Sequence, residues 1–429
     1  MLAWLGLLTI LLLLFLVMTK KMAAVVALIL VPIFTALIAG FTFEIIDFVT
    51  EGIKSIATTG VMFIFAILFF GILTDAGTFK PIVKKLLQFA GNDPAKVALA
   101  TALLAMLVHL DGSGAVTFLV TVPAVLPLYD KLKMKRTTLA TIVALSAGTM
   151  NILPWGGPTI RAASALDVQV TTLFNPILIP VLIGLITVLV IAFILGKRER
   201  KSVPEIIQMD LPDTSSEVQS ELDRPKMFYP NILLIIIAVA ILIIGIAPPH
   251  FIFIVAFALA ITLNYPNPKM QGERINAHAK AALLMASILF AAGCFIGILD
   301  GSGMIDAMAE GMVSQMPEAV GSHLAVITGL VSMPASLLFD PDSFYFGILP
   351  LIATTASHFG VDPIEVGRAA IMGQMTTGFP VSPLTGATYL LIGLTGVELG
   401  DHQKKTIPLA FLVSFIILMI SILIGAITI

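Results

Sequence analysis

Apolar residues fill this chain in long blocks, and short polar knots separate them. The largest polar stretch, KRERKSVPEIIQMDLPDTSSEVQSELDRPK at 197–226, falls near the middle. On each side of it, blocks near the ~17–25 residues of a membrane-spanning helix predict five crossings. In the first half these are 2–18, 22–43, 60–78, a broken helix at 137–166, and 175–195. In the second they are 231–247, 251–263, 281–299, a broken helix within 364–397, and 407–427. Each half holds one further pair of apolar blocks around an acidic knot. LDGSG at 110–114 lies between 95–110 and 115–128, and FDPDS at 339–343 lies between 324–338 and 344–356. These pairs predict helical hairpins over 95–130 and 319–358, each entering and leaving the membrane on one side.

The expected fold is therefore an all-α membrane protein built from two repeats, 1–196 and 229–429, joined by a cytoplasmic linker at 197–228. The halves resemble each other at an almost constant offset of 226: GILTDAG at 71–77 answers GILDGSG at 297–303, Pro154 answers Pro380, and Thr159 answers Thr385. Basic residues gather at Lys20 and Lys21, at Lys80, Lys84 and Lys85, and within 131–136 and 197–201, whereas none lies between Lys280 and Arg368. The positive-inside rule sets the first group in the cytoplasm and the second stretch outside. An odd number of crossings per half then inverts the second repeat, places both termini outside, and brings the two hairpins in from opposite faces. The opening block has no basic leader and no small-residue cleavage site, so it is expected to be a retained span rather than a signal peptide.

Composition narrows the class. The chain is 58% hydrophobic and 12% charged, with a mean hydropathy of +1.04. A soluble domain carries about 25% charged residues. The net charge of −2 and the absence of any basic array give no reason to expect a nucleic-acid partner. A single cysteine, Cys294, sits in an apolar run, permits no internal disulfide, and is expected to serve in packing.

Candidate chemistry lies where the helices must break. Irregular backbone is tolerated at membrane depth only where protein covers it or water fills a cavity. Four such places occur: the two acidic tips, and the Gly/Pro-rich breaks NILPWGGPT at 151–159 and GFPVSPLTG at 378–386. An interrupted helix frees N–H groups that attract anions and carbonyls that hold cations. From the inverted halves these four are expected to converge near the bilayer midplane. The candidate substrate-binding residues are Gly112, Ser113, Gly114, Asn151, Gly156, Gly157, Pro158, Thr159, Arg161, Ser343, Ser382, Thr385 and Gly386. Arg161 offers a planar fork suited to a carboxylate; its alternative is a structural or snorkelling role. Asp111, Asp340, Asp342 and His109 are candidates for a metal ion or a proton, since an aspartate at the centre of a membrane helix costs about 2.5–3.5 kcal/mol. The plainer alternative is that an aspartate caps the half-helix that follows it, and that His109 and Trp155 are structural.

LDGSG followed by VPAVLPLY, then NILPWGGPTIRAASAL, FDPDSFYFGILPLI and GFPVSPLTGATYLL, together resemble the citrate–divalent metal:proton symporters. The opening MLAWLGLLTILLLLFLVMTKKMAAVVALILVPIFTALIAGF is similar too, so the resemblance runs the length of the chain. It implies uptake of citrate as a complex with Mg²⁺ or Ca²⁺, driven by protons, with no tightly bound cofactor and no enzymatic activity. The wider ion-transporter group implies a homodimer, with a scaffold and a mobile domain that holds both hairpins and moves as an elevator. Its substrate and ion motifs fall on 111–114, 151–159, 340–343 and 382–386 here. Sodium-coupled carriers of that group show Ser-Asn-Thr at their tips; Asp-Gly-Ser and Asp-Pro-Asp suit proton or metal handling better. The alternatives kept open are a Na⁺/H⁺ exchanger and a sodium-coupled di- or tricarboxylate transporter. An intramembrane protease is disfavoured, because His109 is too close in sequence to pair naturally with Ser113 and no H-E-x-x-H or P-loop motif is present.

Overall fold

Prolines and short polar side chains set the helix starts. Asp93-Pro94, Asn267-Pro268 and Asp362-Pro363 each place an acceptor at the N-cap and a proline just inside the helix, where its missing N–H is no loss. The Asp93, Asn267 and Asp362 side chains accept from the backbone N–H of Ala95, Lys269 and Ile364 at 3.0, 2.9 and 2.9 Å. The computed structural model describes residues 1–19, 21–200 and 221–429, and among these it is helical throughout, with no strand. The greater part of the linker expected at 197–228 lies outside the described residues.

In the first half, α1 (Leu2–Met18) and α2 (Ala24–Ala39) precede a long α3 (Glu44–Asp75) and an amphipathic α4 (Lys80–Ala90). The first hairpin follows as α5 (Pro94–Val108), a 3₁₀ turn at His109–Asp111, and α6 (Gly114–Lys131). The broken helix is α7 (Arg136–Met150) and α8 (Gly157–Ala165); α9 (Val170–Phe174) and α10 (Leu178–Glu199) close the half. The second half follows a similar helix order, with a short extra helix before its hairpin and no counterpart of α9. It runs through α11 (Phe228–Ile244), α12 (Pro249–Asn264), α13 (Pro268–Gly301), α14 (Met304–Val313) and a short α15 (Glu318–Gly321). Its hairpin is α16 (Leu324–Ala335), a π-turn at Ser343–Ile348, and α17 (Leu349–His358); its broken helix is α18 (Pro363–Ile371) and α19 (Gly386–Thr395), and α20 (Leu399–Leu423) ends it. Leu2–Met18 and Phe228–Ile244 begin 226 residues apart. Six of the helical segments are long and apolar enough to cross a membrane, with shorter apolar helices beside them. The chain is a multi-pass membrane protein.

Three boundaries differ from expectation. α3 and α13 extend to 32 and 34 residues, about 48 and 51 Å at 1.5 Å per residue. Charges in EIIDFVTEGIKS and PKMQGERINAHAK hid their first turns from a hydropathy reading, yet nothing there breaks a helix. The amphipathic α4 and α14 were not expected. The second break opens earlier than 378, because α18 already ends at Ile371.

α3 and α13 run side by side, and α2 and α12 pack on the pair. α5, α7, α10 and α20 form a second group, with α6 and α19 against α7. Within the first seam, Gly52 of α3 faces Gly293 and Gly297 of α13. A Cβ on Gly297 would stand 2.9 Å from the Gly52 Cα and 3.0 Å from its backbone nitrogen. Glycine is needed there because backbone meets backbone.

At the first hairpin, Asp93 is both cap and ion-pair partner. Arg200 donates from Nε to its Oδ1 at 3.0 Å and from Nη2 to its Oδ2. The Arg200 hydrogen bond, helped by the Ala95 N–H, holds the Asp93 carboxyl below its usual value. A carboxyl lowered on folding stabilises above its unfolded range, and that contribution disappears as pH falls through the folded value. Asp93→Asn keeps the cap acceptor and removes the charge. The variant should melt slightly lower than the parent at neutral pH, by little because the pair is so exposed, and the difference should vanish in acid. An equal melting difference at both pH values would refute the linkage.

Candidate functional site

The four irregular segments meet, and each junction is made by a particular side chain. The first tip turns on Gly112 in the left-handed region (φ 74°), which the absence of a Cβ makes easy. Asp111 Oδ1 accepts from the Ser113 N–H at 2.8 Å, and Ser113 Oγ then caps α6 by accepting from Val116 N–H at 3.3 Å. Trp155 in the first break donates from Nε1 to the Leu110 carbonyl at 2.8 Å, tying break to tip. Its ring stacks on Phe70 and meets Phe253, with centroids 5.4 and 5.9 Å away. Beside Gly114 lies the Phe379 ring of the second break, which a Cβ would meet at 2.8 Å.

Asn151 joins the two breaks. It closes α7 and donates from Nδ2 to the Met375 carbonyl at 2.9 Å. Met375 itself has a positive φ of 49°. Gln374, next to it, donates from Nε2 to the Phe339 carbonyl at 3.3 Å, accepts from Ser336 Oγ at 3.1 Å, and offers its own carbonyl to the Tyr345 hydroxyl at 2.7 Å. Those three bonds attach the second break to the second hairpin. Sequence reasoning passed over Gln374, although an amide inside IMGQMTTGF was a visible signal.

Arg161 crosses from the first half to the second tip. Its Nε donates to Asp342 Oδ1 at 2.7 Å, and both residues are buried, at 7% and 8% exposure. Nη2 reaches Met285 Sδ at 3.9 Å. Phe63, Ile160, Met285, Ile288 and Leu289 close the space around the guanidinium. The pair lies in the low-dielectric interior, where an ion without its counter-charge is strongly disfavoured.

Asp340, rather than Asp342, takes the local capping role. Its Oδ1 accepts from the N–H groups of Asp342 and Ser343 at 3.0 and 3.1 Å, and its Oδ2 from Ser343 Oγ at 2.5 Å. Several of the hydroxyls singled out in the sequence turn to nearby backbone. Thr159 donates to the Ile152 carbonyl at 2.8 Å and Thr385 to that of Phe379 at 2.9 Å, while Ser382 Oγ accepts from Leu384 N–H at 3.2 Å. Gly156 caps α8, which opens with Gly157 and Pro158. Gly386, which opens α19, has open space where a Cβ would stand. His109 is buried, pairs through Nδ1 with Thr117 Oγ1 at 2.8 Å, and has the Asn151 side chain as a further polar neighbour.

The aspartates do not form one cluster. Among the described residues, no group of three or more His, Cys, Asp or Glu side chains is placed to hold a metal ion. A further group of three, unnoticed in the sequence, stands on the long helices: Asp75 of α3 accepts from His278 Nε2 at 2.9 Å and Arg274 Nη1 at 3.4 Å, both on α13. α3 also touches the first tip.

Comparison with known proteins places this architecture. The family model described as a citrate transporter (CitMHS) matches residues 10–373. A Bacillus subtilis protein named citrate transporter is 44% identical over 428 residues, covering 100% of both chains. Another from the same organism, named a Mg²⁺/citrate complex secondary transporter, is 42% identical over 434 residues, again covering 100% of both. The crystal structure of the Alcanivorax borkumensis YdaH transporter, described as having an unusual topology, aligns with a TM-score of 0.60 over 88% of this chain and 86% of that one. At 14% identity it is a likeness of fold alone. The family is one of transporters, not enzymes. Matched by its model over most of its length and by relatives from end to end, the chain belongs to the CitMHS citrate transporter family.

Proposed function

We propose that this protein is a secondary transporter that carries citrate across the cell membrane as a complex with a divalent cation, Mg²⁺ or Ca²⁺, coupled to protons. One observation carries the reading: two tips and two breaks, one of each from either half, are stitched together by Trp155, Asn151, Gln374 and Arg161. The similar helix order of the halves, and their charge pattern, support an inverted repeat with both termini outside. The names of the two relatives support the solute.

Free citrate carries about three negative charges at neutral pH, and removing its water is costly; a divalent cation reduces the complex to about −1. The oxygens of citrate then supply most ligands of the ion. The freed N–H groups at the starts of α6, α8 and α19, with Ser113, Asn151, Thr385 and Gly386 beside them, attract the remaining negative charge. Asp111 keeps lone pairs beyond its bond to Ser113 for the ion or a proton, and the proton drives inward movement. In this reading both hairpins and both breaks shift together against the α3–α13 pair as an elevator, within a homodimer.

Radiolabelled citrate uptake into proteoliposomes, scanned across Mg²⁺, Ca²⁺, Zn²⁺ and Na⁺ with an imposed pH gradient, tests the proposal. Uptake should require a divalent ion and rise with an inward proton gradient. Uptake indifferent to divalent ions would end the complex hypothesis, and a sodium-driven pH change without citrate would favour an exchanger. Asp111→Asn should insert normally and lose the response to the proton gradient; unaltered uptake would remove Asp111 from the mechanism.

A further inference from the structure

The second break is held from outside by the first turn of α20. Three successive carbonyls of the break are taken by side chains; only that of Phe379 also accepts a backbone N–H, from Ser382 at 3.3 Å. Phe379 O accepts from Thr385 Oγ1 and Thr388 Oγ1 at 2.9 and 3.0 Å, Pro380 O pairs with His402 Nε2 at 2.8 Å, and Val381 O accepts from Gln403 Nε2 at 2.9 Å. His402 is fully buried. A carbonyl oxygen only accepts, so Nε2 must carry a hydrogen and Nδ1 is the free position in the neutral ring. Nδ1 lies 3.2 Å from Thr406 Oγ1, which lies 2.8 Å from Thr141 Oγ1 on α7.

We propose that His402 is a proton-holding positioning residue for the second break, taking up its second proton at Nδ1 and thereby tightening its hold on the Pro380 carbonyl. In the neutral form the Thr406 hydroxyl donates to Nδ1. In the charged form Nδ1–H donates to Thr406, whose own hydrogen turns to Thr141. One proton is gained, the contacts from His402 to Thr406 and from Thr406 to Thr141 survive with their directions reversed, and the Thr141 hydrogen turns away from Thr406. A bond from a charged imidazolium is shorter and roughly twice as strong as its neutral counterpart, so protonation stiffens the segment that Asn151 and Gln374 also grip. The titratable and charged groups on the surrounding elements are Lys135 and Arg136 at the start of α7, Lys197, Arg198 and Glu199 of α10, Tyr389 of α19, Glu398 at the cap of α20, and Asp401, Lys404 and Lys405 of α20. Thr138 links two of them: it donates to Glu199 Oε1 and accepts from Lys405 Nζ, each at 2.6 Å. The break itself contributes no charge. This inference holds whichever solute is carried.

Hydrogen–deuterium exchange of residues 376–388 in lipid nanodiscs, without citrate, provides the test. After correction for intrinsic rates, exchange in the parent should slow several-fold between about pH 7 and pH 5, the acid side of the range in which imidazoles titrate. His402→Gln keeps a donor for Pro380 and an acceptor for Thr406 but takes no second proton, so its protection should not change over that range. Thr406→Val removes the acceptor of Nδ1–H and should move the midpoint down by on the order of one pH unit. A pH-independent parent, a His402→Gln variant with the parent's pH response, or an unmoved midpoint in Thr406→Val would each overturn the proposal. Because no transport is measured, failure here is distinct from failure of the citrate assignment.

Discussion

Arg161→Ala should lose both stability and uptake, because it strands Asp342 without its counter-ion in the protein interior. Removing one member of a buried pair typically costs about 3–5 kcal/mol, a large share of the ~5–15 kcal/mol by which folded domains survive. Asp342→Ala should be as damaging. Replacing both, as Arg161→Met with Asp342→Leu, removes the unpaired charge and should recover most of the melting temperature. Uptake should stay absent in the double variant, since nothing then ties α8 to the second tip by a directed bond. The sequence alone offered Arg161 either to a solute carboxylate or to a structural role; the Asp342 partner at 2.7 Å makes folding depend on it as well. Thermal melting in detergent and citrate uptake in proteoliposomes check this together. An Arg161→Ala protein that melts like its parent would show that the pair contributes nothing.

Gly297→Leu should fail to yield folded protein. The first atom of the new side chain would stand 2.9 Å from the Gly52 Cα, and backbone cannot swing aside as a side-chain tip can. Overpacking costs typically about 1–3 kcal/mol where neighbours can shift, and here the shift requires prising α3 from α13. Gly272→Ala on the same helix is the control, since nothing lies within 4 Å of the added Cβ. Monodisperse elution and melting of the two variants decide the matter: a well-behaved Gly297→Leu would show that the seam tolerates separation.

Much of this was legible in the chain before any coordinates. Spans of uninterrupted apolar residues announced α1, α2, α10 and α11, since lipid leaves a helix no other partner for its backbone. Gly/Pro clusters marked both breaks, and acidic knots marked both tips. The hidden parts share a cause. The first turns of α3 and α13 are helical but polar, so a measure of hydropathy alone cuts them off. The amphipathic α4 and α14 are too polar to register as spans. At the site, the sequence named Asp340, Asp342 and Arg161 but not their pairing, because Arg161 and Asp342 are 181 residues apart. Gln374 and His402 escaped for a different reason: although the amide in IMGQMTTGF stands out, each acts on a carbonyl, and a carbonyl belongs to every residue alike, so their partners leave no mark in the letters.

The Arg161–Asp342 bond also sets an order on biosynthesis. At about 5–20 residues per second, a ribosome that has just added Arg161 needs on the order of 10–40 s to reach Asp342. During that interval the newly inserted first half carries a guanidinium in the membrane with its eventual partner not yet made. It must keep that cation wet, in an open and immature arrangement, until the second hairpin arrives. Maturation of the first half is thus tied to completion of the second, and a chain stalled between them exposes a lasting positive charge to whatever machinery clears unfinished membrane proteins.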